Sequence, residues 1–425
     1  MENRRVVITG IGAISPAGNS IEDFWRNILS GKTMIHKSDN FDDANFSTNL
    51  IAEVEEFDVK KHISNKKLRR MLQKGEMYAM AAAKEAISDS GLKDYDAYEI
   101  GLFLGCTKEF GKYSLVEEAF NESLVADGKI DSVLFGKSAG DTIPPLIILE
   151  SIPNACIDYI SEEFNIKGPN THFMTTGVSS TQAIGTAFTA IKNGDCNISV
   201  AGGFDSLNDI LSFATFNSVE LMTSCREQFR GPFDKYRNGF VLGEGSGILI
   251  LEELEHARSR KAKIYAEVIG YASNTEAKSL VGLDEKGDSL AQCINLALEN
   301  ANVNADLIDY VNAYASGTQI GDLSETRAIK SVFHLNKDLA VSSIKGTIGH
   351  LIGASGGVET IATALAIKNN TIPPTVSLYE FDDELDLEYV PDSPREKEVN
   401  FAIKISRGMG GQNAVLVLKK MGGKQ

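Results

Sequence analysis

Short apolar runs alternate along the chain with longer stretches of helical periodicity. Arg5–Ile11, Ile100–Gly105, Ile198–Ala201, Gly247–Leu251, Tyr310–Ala313 and Ala414–Leu418 are brief, apolar and bounded by turn residues, which predicts buried strands. Met77–Ser90, Ser180–Asn193, Ser289–Asn300 and Val358–Asn369 carry the spacing of helices. Strands and helices in alternation predict an α/β fold whose sheets are covered on both faces.

The pattern occurs twice. Ala190-Ile191-Lys192-Asn193-Gly194 closes one helix and Ala366-Ile367-Lys368-Asn369-Asn370 closes another. Sliding the first onto the second sets Gly177 against Gly353. Upstream, a helix leads to Ile100–Thr107 in one half and to Tyr310–Thr318 in the other. A duplicated unit is expected, divided into residues 1–251 and 252–425. Face-to-face packing of such halves would bring equivalent helix N-termini together. Their unpaired N–H groups and partial positive charge suit a thiolate or an oxyanion.

Composition narrows the partners. The 425 residues are 43% hydrophobic and 24% charged, enough for a large core. A net charge of −16 argues against nucleic acid and anionic membrane. The densest basic run, Lys60, Lys61, Lys66, Lys67, Arg69 and Arg70, reads as a solvated helix face or as a docking patch for an acidic partner. The five cysteines are scattered without a CxxC, so neither a disulfide framework nor a zinc or other metal site is expected. The uncharged stretch His172–Ile191 is too rich in Ser, Thr and Gly to span a membrane, and Met1–Arg5 lacks the character of a signal peptide. A reducing cytoplasm is expected.

Val6-Val7-Ile8-Thr9-Gly10-Ile11-Gly12 with Ser15-Pro16 and Gly18, Phe233–Gly245, Val341–Ala354, Ile372-Pro373-Pro374-Thr375 and Gly408–Asn413 appear in order. Together they resemble the motifs of β-ketoacyl-acyl-carrier-protein synthases over essentially the whole chain. The resemblance implies the thiolase fold, two duplicated halves in five α-β-α-β-α layers, usually dimeric.

Those synthases use a Cys nucleophile and two His residues. Counted from Gly168-Pro169 through Thr175-Thr176-Gly177-Val178-Ser179-Ser180, the Cys position falls on Gly177. The first His position, after Val311-Asn312-Ala313, holds Tyr314, and the second is retained as His350. The accompanying Lys and Glu match Lys345 and Glu359. Gly177 offers nothing to acylate. Tyr314 has a reference pKa of about 10 against about 6.5 for imidazole. No substitute nucleophile is evident: Ser179 and Ser180 read as helix-start residues, Cys106 as a small buried apolar side chain, and His172 as structural.

The resemblance therefore points to a chain length factor, the β-subunit of a type II polyketide ketosynthase. Such subunits commonly carry Gln at the Cys position, where this chain has Gly177. A malonyl-carrier decarboxylase that initiates chains and a synthase with an unusual nucleophile remain as alternatives. The expected partners are a homologous Cys-containing ketosynthase α-subunit and an acyl carrier protein. Phosphopantetheine would arrive on the carrier, with no cofactor held by this chain. The tunnel wall is expected between Cys106 and Ile157, with Phe110, Tyr113 and Phe120 as chain-length candidates. Gly408, Met409, Gly410, Gly411 and Asn413 are expected to form a gate loop.

Overall fold

The computed structural model describes residues 4–422 apart from 42–44, 94, 108–115, 144, 146, 148–151, 153, 335 and 337. Two of the tunnel candidates, Phe110 and Tyr113, lie outside the described residues.

The first half supplies strands β1 (Val6–Ile14), β2 (Ile100–Gly105), β3 (Asn170–Phe173), β4 (Ile198–Ser206) and β5 (Glu244–Glu253). The second supplies β6 (Ala266–Thr275), β7 (Tyr310–Asn312), β8 (Ala340–Ser342), β9 (Phe401–Gly408) and β10 (Gln412–Lys419). Their spatial order is β3-β2-β4-β5-β1 followed by β6-β10-β9-β7-β8. Each half has the same arrangement. In each, the second strand pairs parallel with the third and fourth, and the fifth pairs antiparallel with the fourth and the first. The halves join where Val6, Val7 and Ile8 of β1 pair antiparallel with Val268, Glu267 and Ala266 of β6. Register shifts at Ile8/Gly10 and at Val268/Gly270 end the shared ladder, and the two sheets separate beyond them.

Helices α1 (Lys74–Ser90), α2 (Ala155–Phe164), α3 (Ser179–Asn193), α4 (Asp288–Ala301), α5 (Gln319–Phe333) and α6 (Ser355–Asn369) complete the layers. α1 covers the outer face of the first sheet and α4 that of the second. Between the sheets lie α3 and α6, which touch each other and strands of both halves. This is the expected five-layer duplication. The central pair is buried on nearly every side, which explains its small residues, from Ala183, Gly185 and Ala187 to Ala362, Ala364 and Ala366.

Outside the layers, two helices, Glu117–Ser123 and Ser132–Thr142, pack on each other. The Phe120 ring sits on the first of them with its centroid 5.0 Å from that of Phe135 on the second. The basic run does not form a single helix face. It folds as two single turns, Val59–His62 and Leu68–Met71, broken at buried Ile63.

Candidate functional site

The two central helices begin alike. A 3-10 turn at Thr176–Val178 runs into α3, and its equivalent at Ile352–Ala354 runs into α6. Thr176 and Ile352 occupy matching left-handed conformations, with φ of 54° and 45°. The Ser179 hydroxyl accepts the Thr175 N–H at 2.9 Å, as the Ser355 hydroxyl accepts the Leu351 N–H at 3.1 Å. Ser180 Oγ accepts the Gly357 N–H at 2.9 Å and so ties the two helix starts together. Ser179 and Ser180 are fully buried structural hydroxyls, as their positions suggested.

Gly177 lies under a backbone carbonyl. A Cβ added there would stand 2.3 Å from the Arg407 oxygen and 3.4 Å from Tyr314 Cε2. The β9–β10 turn closes over the same place: the Met409 N–H donates to Thr176 Oγ1 at 3.0 Å and the Gly410 N–H to the Leu280 carbonyl at 2.8 Å. Gly410 and Gly411 adopt φ of 89° and 73°, conformations that favour glycine in so tight a turn. Asn413 Nδ2 donates to Asn274 Oδ1 at 3.1 Å across the sheet.

Tyr314 follows β7 and is held by Glu325 of α5. The two Glu325 oxygens accept the N–H groups of Tyr314 (2.8 Å) and Ala315 (2.7 Å). The Tyr314 hydroxyl is 2.9 Å from His350 Nε2, and the two rings meet edge to face with centroids 5.3 Å apart. His350 Nδ1 accepts the Ile352 N–H at 3.0 Å, and the Ser355 hydroxyl lies 3.1 Å from it. Nδ1 is therefore the bare nitrogen, and the neutral ring carries its proton on Nε2. Burial, with Lys345 and Lys404 nearby, holds His350 well below the ordinary imidazole value. Burial likewise raises Tyr314, so its phenol stays protonated.

Beneath Tyr314 is a buried charge cluster. Lys345 pairs with Glu359 Oε1, and Lys404 Nζ lies 2.7 Å from Glu359 Oε2. Lys345 Nζ also sits 4.7 Å from the centre of the Tyr314 ring. Burial pushes Lys404 down to about 8, with Glu359 opposing and Lys345 adding to the fall. His350 is thus held by a serine and a backbone amide, while Lys345 and Glu359 answer each other. Arg407, fully buried, places Nη2 2.7 Å from Glu276 Oε1, 3.2 Å from Ser324 Oγ, and Nη1 3.2 Å from the Gly321 carbonyl.

The structure accordingly gathers Gly177, Tyr314, His350, Lys345, Glu359 and the Gly408–Asn413 turn in one place. Lys404, Arg407 and Glu325 join them without having been singled out. A lysine and an arginine inside the apolar strand Phe401–Gly408 were the available signal. Cys106 is buried in the first half's core, where its carbonyl is 3.0 Å from Ser179 Oγ. His172 is half-buried near Phe204, and desolvation depresses its pKa to about 4. Among the described residues no cluster of His, Cys, Asp and Glu has the makings of a metal site, and no helix is long and apolar enough to cross a membrane.

Comparison with known proteins agrees with this architecture. Residues 3–257 match the beta-ketoacyl synthase N-terminal domain and residues 265–379 its C-terminal domain. The chain is 34% identical to the 3-oxoacyl-[acyl-carrier-protein] synthase 2 of Staphylococcus aureus strain N315, over 99% of both chains. It is 35% identical to that of Coxiella burnetii, over 99% of this chain and 100% of the other. Among solved structures, the ishigamide ketosynthase/chain length factor superposes with a TM-score of 0.88 at 30% identity, covering 99% of this chain and 100% of that one. A type II polyketide ketosynthase in complex with its acyl-carrier protein, bound to the hexaketide, superposes with a TM-score of 0.87 at 27% identity over 99% and 100%. Shared motifs, the duplicated thiolase-like fold and full-length similarity together establish that the chain belongs to the β-ketoacyl synthase family.

Proposed function

We propose that this chain is a non-acylating ketosynthase subunit, a chain length factor that pairs with a homologous ketosynthase carrying the Cys. The pair would elongate a poly-β-keto or polyene chain on acyl carrier protein. In the partner, a thiolate would hold the growing chain as a thioester. Malonyl on the carrier would lose CO₂, and the resulting enolate carbon would attack that thioester and release the thiol.

One observation carries the reading: the Arg407 carbonyl occupies the space into which any side chain at Gly177 would extend. The position is therefore closed as well as lacking a thiol. The structural likeness to a ketosynthase/chain length factor supports the pairing, while the similarity to 3-oxoacyl synthases supports only the wider chemistry. Division of the chain into halves 1–251 and 252–425 belongs to the same proposal, since the duplicated scaffold is what a homologous partner would match. Tunnel-wall roles for Phe110, Tyr113 and Phe120 are retained here, as is a gating role for the Gly408–Asn413 turn.

Co-expression with a Cys-bearing homologue from the same source tests the proposal. A stable heterodimer is expected, with elongation only when both chains are present. A chain that fails to co-purify, forms a homodimer and condenses malonyl units unaided would overturn it.

A further inference from the structure

His350 has a single proton to offer. With Nδ1 accepting from Ile352, the Nε2–H is the only donor of the neutral ring, and it meets the Tyr314 oxygen at 2.9 Å. Tyr314 is buried, and its ring lies between three groups. The Gly177 Cβ position is 3.4 Å from Cε2, Lys345 Nζ is 4.7 Å from the ring centre, and the imidazole stands edge to face. The phenol thus supplies both the volume and the acceptor oxygen that a small carbonyl compound would need in order to reach His350.

We propose that Tyr314 is a built-in occupant of the carbonyl position at His350. On this inference, which rests on reading the chain as a non-acylating subunit, a second closure is added to the missing thiol. Malonyl-type thioesters are excluded from the half-site by a side chain of the protein itself. The phenol oxygen stands where a thioester carbonyl would accept the Nε2–H, and the ring lies over Lys345, whose charge Glu359 already answers. Glu325 fixes the backbone of the plug by accepting the Tyr314 and Ala315 N–H groups, and the hydrogen bond to His350 with the packing around the ring holds its side chain. The chain therefore has no decarboxylase activity of its own, although it retains a neutral histidine donor.

The full chain, labelled with ¹⁵N at its six histidines, tests this with malonyl-pantetheine as the probe. In the wild type the His350 Nε2 signal is expected to ignore the probe. In Tyr314→Ala it should shift saturably. In Tyr314→Phe the ring remains but the acceptor is lost. The Nε2–H should then exchange with water about fivefold faster, the equivalent of one ordinary hydrogen bond, while the probe stays excluded. A wild-type signal that moves with the probe would overturn the inference. So would a cooperatively folded Tyr314→Ala variant that does not respond. Should the Ala variant fail to fold, unchanged exchange in Tyr314→Phe would overturn it instead. The measurement needs no partner subunit, so a chain that never forms a heterodimer would defeat the pairing proposal and leave this result standing.

Discussion

Arg407 and Glu276 form an ion pair with both side chains fully buried, Nη2 to Oε1 2.7 Å. Glu276 also accepts the Asp284 N–H at 2.7 Å, so the pair fastens the segment after β6 to the end of β9, directly behind the turn that covers Gly177. Removing one partner strands a charge away from water. Glu276→Ala is therefore expected to destabilise the chain by about 3–5 kcal/mol, measured by denaturant unfolding. A double variant, Glu276→Leu with Arg407→Met, should recover much of that loss. If the single and double variants fall equally far, the pair does not hold the turn.

Gly177 should resist repair. An added Cβ meets a carbonyl oxygen at 2.3 Å, and backbone rather than a flexible side chain must yield. Gly177→Ala is expected to cost about 1–3 kcal/mol through overpacking. Gly177→Cys should show no acylation by malonyl- or acyl-carrier protein above wild type, read by intact-mass spectrometry. An acyl adduct at position 177 in that variant would show that the Arg407 carbonyl gives way readily.

Lys345 and Lys404 share one carboxylate, which makes their substitution asymmetric. Lys404→Met leaves Glu359 with Lys345 but removes the bonds that Nζ makes to the Ser406 hydroxyl and the Ile405 carbonyl, and should cost about 1–3 kcal/mol. Glu359→Gln leaves two buried ammonium groups facing each other and should cost about 3–5 kcal/mol. Equal losses, measured by chemical denaturation near pH 7, would exclude the shared-carboxylate arrangement.

His172 should make the fold sensitive to acid. Its folded pKa is depressed to about 4, below the ordinary 6.5, so the unfolded chain binds the proton more readily. The stability associated with the neutral ring is present above about pH 6.5 and is lost as pH falls toward about 4. Glu85 and Asp205 act in the opposite sense. Burial raises both to about 7, so their contribution is full at low pH and fades as pH rises through 7. Comparing variants separates the two effects. His172→Phe should gain on the wild type by on the order of 1–3 kcal/mol between pH 6.5 and pH 4. A difference in melting temperature that stays constant over that window would reject this assignment.

Much of the scaffold was legible in the sequence because burial and apolarity coincide in it. Ile100–Gly105 is a strand with the bounds its pattern suggests, since every side chain in it is buried and apolar or glycine. The repeat ending at Asn193 and Asn369 proved to be the central helix pair, and the shift that set Gly177 on Gly353 is the one the two 3-10 turns follow. Elements escaped detection where charge lies inside or where a strand is exposed. β9 contains Lys404 and Arg407, whose partners Glu359 and Glu276 are distant in sequence. α5 buries Asp322, Ser324, Glu325 and Thr326, so its inward face reads as polar. β6 emerges toward solvent along its length, and from Tyr271 onward none of its residues is fully buried. The Tyr314–His350 contact could not be anticipated either, because it depends on how α5 holds the Tyr314 amide.

The twin turns at Thr176–Val178 and Ile352–Ala354 have a mechanical consequence. At Gly353 the neighbour is Asp205, whose Oδ2 accepts the glycine N–H at 2.5 Å, and at Gly177 it is the Arg407 carbonyl. Each half of the molecule thus drives a peg from its own sheet into the first turn of a central helix, one through a carboxylate and the other through a peptide oxygen. One junction is a hydrogen bond and the other a steric stop, so the halves meet at both helix starts but are bonded differently at each.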